Sequence, residues 1–243
     1  MLSLEEQNRL RQSFQRRHPE WRPATEVFAD LVRQRLKPNS RVLDLGCGRG
    51  GLVEQLDYPL DQMVGVDPDL YSLRRHRLAD GESPLARVAA FNQALPFAAH
   101  SFDLVFASWV LEHLQQPQRD FAQIARLLRP EGAFVFITPN RRHPLAMLNR
   151  LLGRFNAMQD VVVGRLYGRN AADTFPVRYR ANTAADLRSL GAAAGLTLTE
   201  IHTISDPTYL AFSDAFFRLA AWMDQRLSPS RQIHLVGCFQ PRD

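Results

Sequence analysis

The chain has 243 residues, enough for one sizeable domain with its own hydrophobic core. Hydrophobic residues make up 45% and charged residues 23%, ordinary proportions for a globular protein, and the net charge is +5. Because the first residues are acidic and polar, we do not expect a secretory signal, and no apolar run approaches the ~20 residues of a membrane-spanning helix. Two cysteines, Cys47 and Cys238, are too few for a zinc site or a disulfide framework, so we expect a reduced, cytoplasmic protein.

Apolar runs of strand length alternate with amphipathic segments along the chain. This pattern is typical of an α/β domain with a mostly parallel sheet and helices on both faces. We predict seven strands, the last two closing the sheet: Arg41–Leu45, Met63–Val66, Val88–Phe91, Phe102–Ala107, Ala133–Ile137, Thr197–Ser205 and Ile233–Phe239.

Two helices have clear patterns. The stretch "PQRDFAQIARLLRPEG" places four apolar residues on one face, and we expect Pro130 with Gly132 to end that helix. A later helix is predicted over Thr183–Ala194, capped by Asn182 or Thr183. The four apolar residues are Phe121, Ile124, Leu127 and Leu128.

Three segments lie outside this alternation within a single predicted domain, 1–243. Residues 1–38 form a helical N-terminal segment, and 139–180 and 206–230 are insertions that each contain an amphipathic helix. Because long connections in α/β proteins often lie over the carboxyl ends of the strands, we expect a helical substrate lid. The apolar stripes are Met147, Leu148, Leu151, Leu152 and Phe155, and Tyr209, Phe212, Phe216, Leu219, Ala220, Met223 and Leu227.

A glycine-rich loop, "RVLDLGCGRGG", ends the first predicted strand. Gly46, Gly48 and Gly51 satisfy the dinucleotide pattern G-x-G-x-x-G, and Asp67 follows at about the required 20 residues, which by itself favours a nicotinamide enzyme. Asp44 favours a different ligand, because a carboxylate beneath the loop repels a pyrophosphate and attracts an ammonium or sulfonium. S-adenosylmethionine (SAM) carries both cations and no phosphate, so the loop favours SAM over NAD.

Several motifs in order resemble class I SAM-dependent methyltransferases of the type 11 branch, which includes quinone-biosynthesis C-methyltransferases. "VLDLGCGRG" is similar to the first motif of that family and "VGVDPD" to the second. "ALPFAAHSFDLVFASWVLEHL" and "ARLLRPEGAFVFITPN" are similar to its later motifs, with weaker similarity through "YRANTAADLRSLGAAAGL". The resemblance covers roughly Val42–Asn140 and implies the Rossmann-like class I methyltransferase fold.

The resemblance implies cofactor-binding roles for residues of the loop and the second strand. Gly46 and Gly48 would pass beneath the methionine part of SAM, with Asp44 near its ammonium. Asp67 would accept hydrogen bonds from the ribose hydroxyls. Cys47 is expected to be a small filler within the loop rather than a nucleophile.

Residues after the next strands complete the implied cofactor site. Pro68 would lie against the adenine. An acidic residue often follows the third strand in this family and binds the adenine amino group; here Phe91 takes that position, and Asn92 after it offers a comparable acceptor. Ser108 and Trp109 would face the methionine end and the acceptor.

The sequence identifies no catalytic residue. SAM is already activated, so in-line displacement needs alignment and a dry pocket, and a base is needed only if the acceptor must lose a proton. His113, His143 and Tyr179 are candidates, although a structural role is favoured for each. No motif of a DNA-base N-methyltransferase or an RNA cytosine-5 enzyme is found, and no acidic cluster predicts a metal.

The acceptor is predicted from the distribution of charge. Residues 139–180 hold eight arginines and two aspartates, an excess of six positive charges, whereas the rest of the chain sums to about −1. Since arginine suits carboxylate and phosphate, we expect Arg178, Tyr179 and Arg180 to bind an anionic small molecule or a lipid- or glycan-linked acceptor. Peripheral contact with an anionic membrane and a solvated basic face are the alternatives, and no nucleic acid is expected.

Two other functions remain open from the sequence. The same glycines and Asp67 fit an NAD-dependent oxidoreductase. A SAM-fold protein without catalysis, acting as a binding module, is the other alternative, and the intact set of Asp44, Gly46, Gly48 and Asp67 argues against it. The oligomeric state is not predicted.

Overall fold

The computed structural model describes residues 4–81, 84–147, 175–206, 217, 221–224 and 226–242, with side chains from residue 9 onward. Much of both predicted insertions lies outside these ranges. The amphipathic stripes predicted there, apart from Met147, Met223 and Leu227, therefore lie outside the described residues. The predicted division of the chain into one domain with two lid insertions stays a prediction.

Seven strands form one sheet in the order β3-β2-β1-β4-β5-β7-β6. The first five pair in parallel, and β7 runs antiparallel to both β5 and β6. This arrangement confirms the predicted seven-stranded, mostly parallel sheet. The strands are β1 Val42–Leu45, β2 Met63–Asp67, β3 Ala86–Ala89, β4 Phe102–Ser108, β5 Leu128–Pro139, β6 Leu196–Ile204 and β7 His234–Pro241.

Most strand boundaries differ from the predicted ones by one or two residues, and the differences at β3 and β5 affect other predictions. The strand β3 ends at Ala89, so Phe91 lies beyond it rather than at its end. The strand β5 begins at Leu128, directly after a helix, because Leu128 already pairs with Phe102 across an irregularity in the register. Gly132 lies inside this start of the strand, where a Cβ would come within 2.9 Å of the Arg129 carbonyl oxygen, and it does not end the helix as predicted.

Five helices are described in full: α1 Leu4–Arg17, α2 Ala24–Arg35, α3 Leu70–Arg74, α4 Pro117–Leu127 and α5 Ala184–Ala193. The predicted cap of α5 is Thr183, whose hydroxyl accepts a hydrogen bond of 3.0 Å from the Asp186 amide. Asp69 caps α3 in the same way. In the described part of the chain, no helix combines the length and the apolar character needed to cross a bilayer.

The core has a layer on each face of the sheet, as the alternating pattern predicts. One layer contains α2 packed against Val42, Leu104 and Phe106. The other contains α4 and α5 and is built around a group of packed aromatic rings, in which Phe134 stacks on Phe239 at 6.0 Å. The residues after β1, β2 and β4 are thereby held at one edge of a rigid sheet.

The N-terminal helix is attached near the end of β6. Phe14, Trp21 and Phe217 form a small buried cluster, in which α1 meets a residue of the second predicted insertion. The Trp21 indole N–H donates to the Ser205 carbonyl oxygen at 2.9 Å, and Arg11 lies 3.7 Å from Asp206. The segment before β1 is therefore part of the edge at which the insertions emerge, a contact that the sequence did not predict.

Candidate functional site

The glycine loop bends over the end of β2. The amides of Gly46 and Cys47 both donate to the Val66 carbonyl oxygen, at 2.7 and 3.0 Å. The loop then continues into a single 3₁₀ turn, Val53–Gln55. These bonds bring the loop backbone against Asp67, the last residue of β2.

Asp67 is held in place by backbone amides. Its carboxylate accepts from the Gly48 amide at 3.0 Å and from the Asp69 amide at 2.8 Å. Burial raises the pKa of Asp67, and these two hydrogen bonds oppose that rise. Because a carboxylate has about four acceptor positions, two remain for hydroxyl donors of a ligand.

Asp44 lies beside Asp67 on the neighbouring strand and is only 4% exposed. Its pKa is raised to about 8, chiefly by burial and then by the negative charges of Asp67 and Glu54. Among the described residues, no basic side chain forms an ion pair with Asp44 or Asp67. The crevice therefore has a negative charge bias that a bound cation would relieve.

Three glycines of the loop are required by its conformation. Gly46, Gly48 and Gly50 have φ angles of +79°, +51° and +107°, values that strain any other residue. A Cβ at Gly46 would also overlap the Val110 side chain, and one at Gly50 would overlap the Glu54 carboxylate. The tight backbone leaves room for a ligand to approach closely.

The third glycine of the dinucleotide pattern has no such role. Gly51 has an ordinary φ, and nothing lies within 4 Å of a Cβ built on it. The loop is followed by the three-residue turn Val53–Gln55 and not by a long helix whose N-terminus would bind a pyrophosphate. Together with the carboxylate of Asp44, these features oppose the NAD alternative.

Cys47 lies within the loop and faces β2. A Cβ at Gly65 would come within 2.7 Å of its sulfur, so the thiol fills the space above that glycine. Burial raises the pKa of the Cys47 thiol, which makes it unreactive. This placement fits the filler role expected from the sequence.

The expected adenine side lies next to Asp67. Pro68 is partly exposed after β2, and the Phe91 side chain is 66% exposed beyond β3. Asn92 begins a 3₁₀ turn whose next residue, Gln93, donates from its side-chain Nε2 to the Asp120 carboxylate at 2.6 Å. No sequence motif indicated this bond.

The expected acceptor side begins at Ser108 and Trp109, the residues that end β4 and follow it. Trp109 has a φ of +58° and its amide donates to the Ile137 carbonyl oxygen at 3.1 Å. Its indole meets the His234 ring edge to face, with centroids 5.0 Å apart. Burial lowers the pKa of His234 to about 4, so its imidazole is neutral near pH 7. The sequence did not single out His234.

The three catalytic candidates are engaged in structural contacts. The His143 Nδ1 accepts from the Leu145 amide at 3.2 Å, and its Nε2 lies 3.7 Å from an oxygen of the buried Asp224. The Nδ1 of His113 is 3.4 Å from the Pro176 carbonyl oxygen. Tyr179 is buried with a φ of +52°. Their role as catalytic candidates stays a prediction. Within the described ranges, no group of three or more potential metal ligands occurs.

The L-E-H turn after β4 holds the segment that contains the predicted acceptor residues. The Glu112 carbonyl oxygen accepts from the Arg178 amide at 2.7 Å and from the Tyr179 amide at 3.1 Å. The Glu112 carboxylate turns inward and accepts from the Thr138 hydroxyl at 3.0 Å. Arg178 and Arg180 remain exposed on the rim of this turn.

Comparisons with known proteins agree with this geometry. A family model described as a methyltransferase domain, of type 11, matches residues 43–136. Ubiquinone biosynthesis O-methyltransferase of Hahella chejuensis is 33% identical over 141 residues, 55% of this chain and 59% of that protein. Malonyl-[acyl-carrier protein] O-methyltransferase of Legionella pneumophila is 34% identical over 119 residues, 47% of this chain and 41% of that protein. The matches thus span about half the length of these relatives.

A solved structure shares the fold over most of the chain. It is geranyl diphosphate C-methyltransferase from Streptomyces coelicolor A3(2), in complex with Mg²⁺, geranyl diphosphate and S-adenosyl-L-homocysteine. The TM-score is 0.60 at 14% identity, covering 89% of this chain and 77% of that chain. The predicted class I methyltransferase fold is confirmed, and so is the methyltransferase resemblance over residues 43–136.

The loop geometry predicts different outcomes for alanine at two of its glycines. Gly46→Ala should abolish binding of S-adenosylhomocysteine, because the added methyl group overlaps Val110 and the φ of +79° is unfavourable. Gly51→Ala is the matched control, and calorimetric titration should give it an affinity within about twofold of wild type, or roughly 0.4 kcal/mol. Equal affinities for the two variants would contradict the placement of the ligand on this loop.

The burial of Asp44 predicts how stability depends on pH without ligand. Its pKa in the folded protein, about 8, lies above the ordinary value of 3.8, so the folded state holds the proton that the unfolded state releases. Stability from this group is therefore lost as pH rises from 4 to 8. Asp44→Asn should match wild type in urea denaturation near pH 4 and exceed its stability above pH 8 by several kcal/mol, since each unit of pKa shift corresponds to about 1.4 kcal/mol. A constant difference across that range would refute the assignment.

Proposed function

We propose that this chain, whose residues 43–136 match a methyltransferase domain, transfers a methyl group from SAM to an anionic small-molecule acceptor. The observation that carries the proposal is the pair of buried carboxylates, Asp44 and Asp67, directly beneath a loop of three positive-φ glycines. This combination attracts a cationic, hydroxyl-bearing ligand and lets it lie close to the backbone.

Each part of the proposed cofactor site has a separate task. Asp44 would face the ammonium of SAM, whose charge would favour the ionised carboxylate and offset the cost of its burial. Asp67, held by the amides of Gly48 and Asp69, would use its remaining acceptor positions for the ribose hydroxyls. The backbone at Gly46 and Gly48 would lie under the methionine part.

The residues after β2, β3 and β4 would complete the site. Pro68 and Phe91 offer apolar surface for the adenine, and the turn at Asn92 offers a polar partner. Ser108 and Trp109 would face both the methionine end of SAM and the acceptor. These assignments rest on position at the carboxyl ends of the strands, the edge where open α/β sheets bind ligands.

Methyl transfer from SAM needs few catalytic side chains. Bound SAM would supply a methyl group on a sulfonium leaving group, so the acceptor attacks in line as the S–C bond breaks. The protein would align the two reactants and exclude water. The contact between the rings of Trp109 and the buried His234 favours the exclusion of water on the acceptor side. A hydroxyl acceptor would in addition need a group that takes its proton.

The proposed acceptor is small and anionic, either free or linked to a lipid or glycan carrier. The relatives are named for ubiquinone biosynthesis and for a malonyl group on a carrier protein, which supports a small or carrier-bound acceptor. Its anionic character is supported by the exposed Arg178 and Arg180, at the end of a segment with six excess positive charges. Arginine binds carboxylate and phosphate through paired hydrogen bonds.

Two measurements test this function. Calorimetric titration with SAM and separately with NADH should show binding of SAM alone, and tighter binding of NADH would overturn the proposal. Incubation of the protein with isotopically labelled SAM and a metabolite extract should yield a labelled product, retained by anion exchange. Binding of SAM with no labelled product from any extract would instead favour a non-catalytic binding module.

The cofactor role of Asp67 gives a further prediction. Asp67→Ala should weaken S-adenosylhomocysteine binding ten- to a hundredfold, because two charge-assisted hydrogen bonds to the ribose are lost, about 1.5–3 kcal/mol. Asp61→Ala is the control, since Asp61 is an exposed aspartate just before β2. If calorimetry gives both variants the wild-type affinity, Asp67 does not bind the ribose.

A further inference from the structure

A small polar cavity lies beside the L-E-H turn. It has a volume of about 290 Å³ and is lined by Gln115, Gln116, Arg178 and Arg180. The volume is just below the range of about 300–1,000 Å³ for ligand pockets, so the cavity can hold a charged group together with a small part of an acceptor. Its four lining residues offer two guanidinium groups and two side-chain amides as donors.

The backbone is constrained to present the two arginines together. Tyr179 lies between them with a φ of +52° and a buried side chain, a conformation that is unfavourable for a non-glycine residue. It is stabilised from both sides: the Tyr179 amide donates to Glu112 and its carbonyl oxygen accepts from Arg141 at 3.3 Å. The buried tyrosine anchors the turn while Arg178 and Arg180 point outward.

The charges of these arginines are not neutralised by the surrounding acids. Arg180 donates to the Gln115 carbonyl oxygen at 2.7 Å, and among the described residues neither arginine forms an ion pair. The carboxylates nearby in the fold have other partners: Glu112 bonds to Thr138, Asp120 to Gln93, and Asp186 to Arg141.

The start of α4 adds to the positive potential. Gln116 is the residue before this 11-residue helix, and Pro117 occupies its first turn. The N-terminal end of a helix carries a partial positive charge. Two arginines with this helix end make a local field that favours an anion with more than one negative charge.

We propose that this cavity, lined by Gln115, Gln116, Arg178 and Arg180, binds a phosphate group carried by the methyl acceptor. Two guanidiniums match a doubly charged tetrahedral oxyanion, whereas a carboxylate is satisfied by a single arginine fork. The cavity adjoins the turn that follows Val110, the residue packed on Gly46, so a phosphate here lies on the same side as the glycine loop. The inference rests on the proposed methyl transfer and specifies its acceptor.

The test uses the full-length protein and three probes: phenyl phosphate, inorganic phosphate and acetate, titrated by calorimetry at low ionic strength. We expect phenyl phosphate to bind most tightly and added salt to weaken it. Arg178→Gln/Arg180→Gln should lower its affinity at least tenfold. The matched control is Arg142→Gln/Arg188→Gln, which removes the same charge from exposed arginines outside the cavity and should change the affinity less than twofold.

The remaining outcomes contradict the inference in distinct ways. Equal losses in the two double variants would show a general charge effect rather than a site. Inorganic phosphate binding as tightly as phenyl phosphate would assign the cavity to the free ion, and acetate binding equally well would exclude a phosphate-class site. S-adenosylhomocysteine is titrated into the same variants. Its intact binding together with loss of phosphate binding would separate a failure of this inference from a failure of the proposed function, which a wild-type protein that binds no S-adenosylhomocysteine would overturn.

Discussion

The burial of Asp44 beside Asp67 is the constraint on which the rest of the site depends. Parallel pairing of β1 and β2 places Asp44 opposite Gly65, two residues before Asp67, and the Val66 carbonyl oxygen draws the loop amides over both. Burial, and then the negative charge of Asp67, raise the pKa of Asp44 to about 8, so the folded protein favours the protonated carboxyl near neutral pH. Gly48 helps to keep the space beside these groups open, because a Cβ at this position would lie 4.0 Å from the Asp67 carboxylate.

The charges of the described site are segregated. The crevice under the loop is acidic, whereas the rim formed by Arg178 and Arg180 is basic. A cationic methyl donor and an anionic acceptor would therefore be drawn to adjacent positions without competing for the same one.

Local patterns predicted the elements that depend on neighbours in the sequence. Strand-length apolar runs located all seven strands, and Asp44 with Gly46 and Gly48 located the loop. Features set by contacts distant in sequence were not predictable: the early start of β5 depends on pairing with Phe102, and the wall at Trp109 depends on His234, 125 positions later. The hydrogen bond from Gln93 to Asp120 has the same origin. The spacing of apolar residues predicts which face of a helix or strand is buried, but not which element packs against that face.

A dinucleotide site and a SAM site can be distinguished by the groups that surround the glycine loop. Both use close approach of backbone to ligand, but a pyrophosphate also needs a following helix and an uncharged strand end. Here the loop leads into a 3₁₀ turn and the strand carries Asp44. A domain that bound no cation would be more stable with a neutral residue at that position, because burial of the carboxylate has a cost that only a ligand offsets. The carboxylate therefore argues for cofactor binding, and the basic rim, which the cofactor does not need, argues that a second reactant binds beside it.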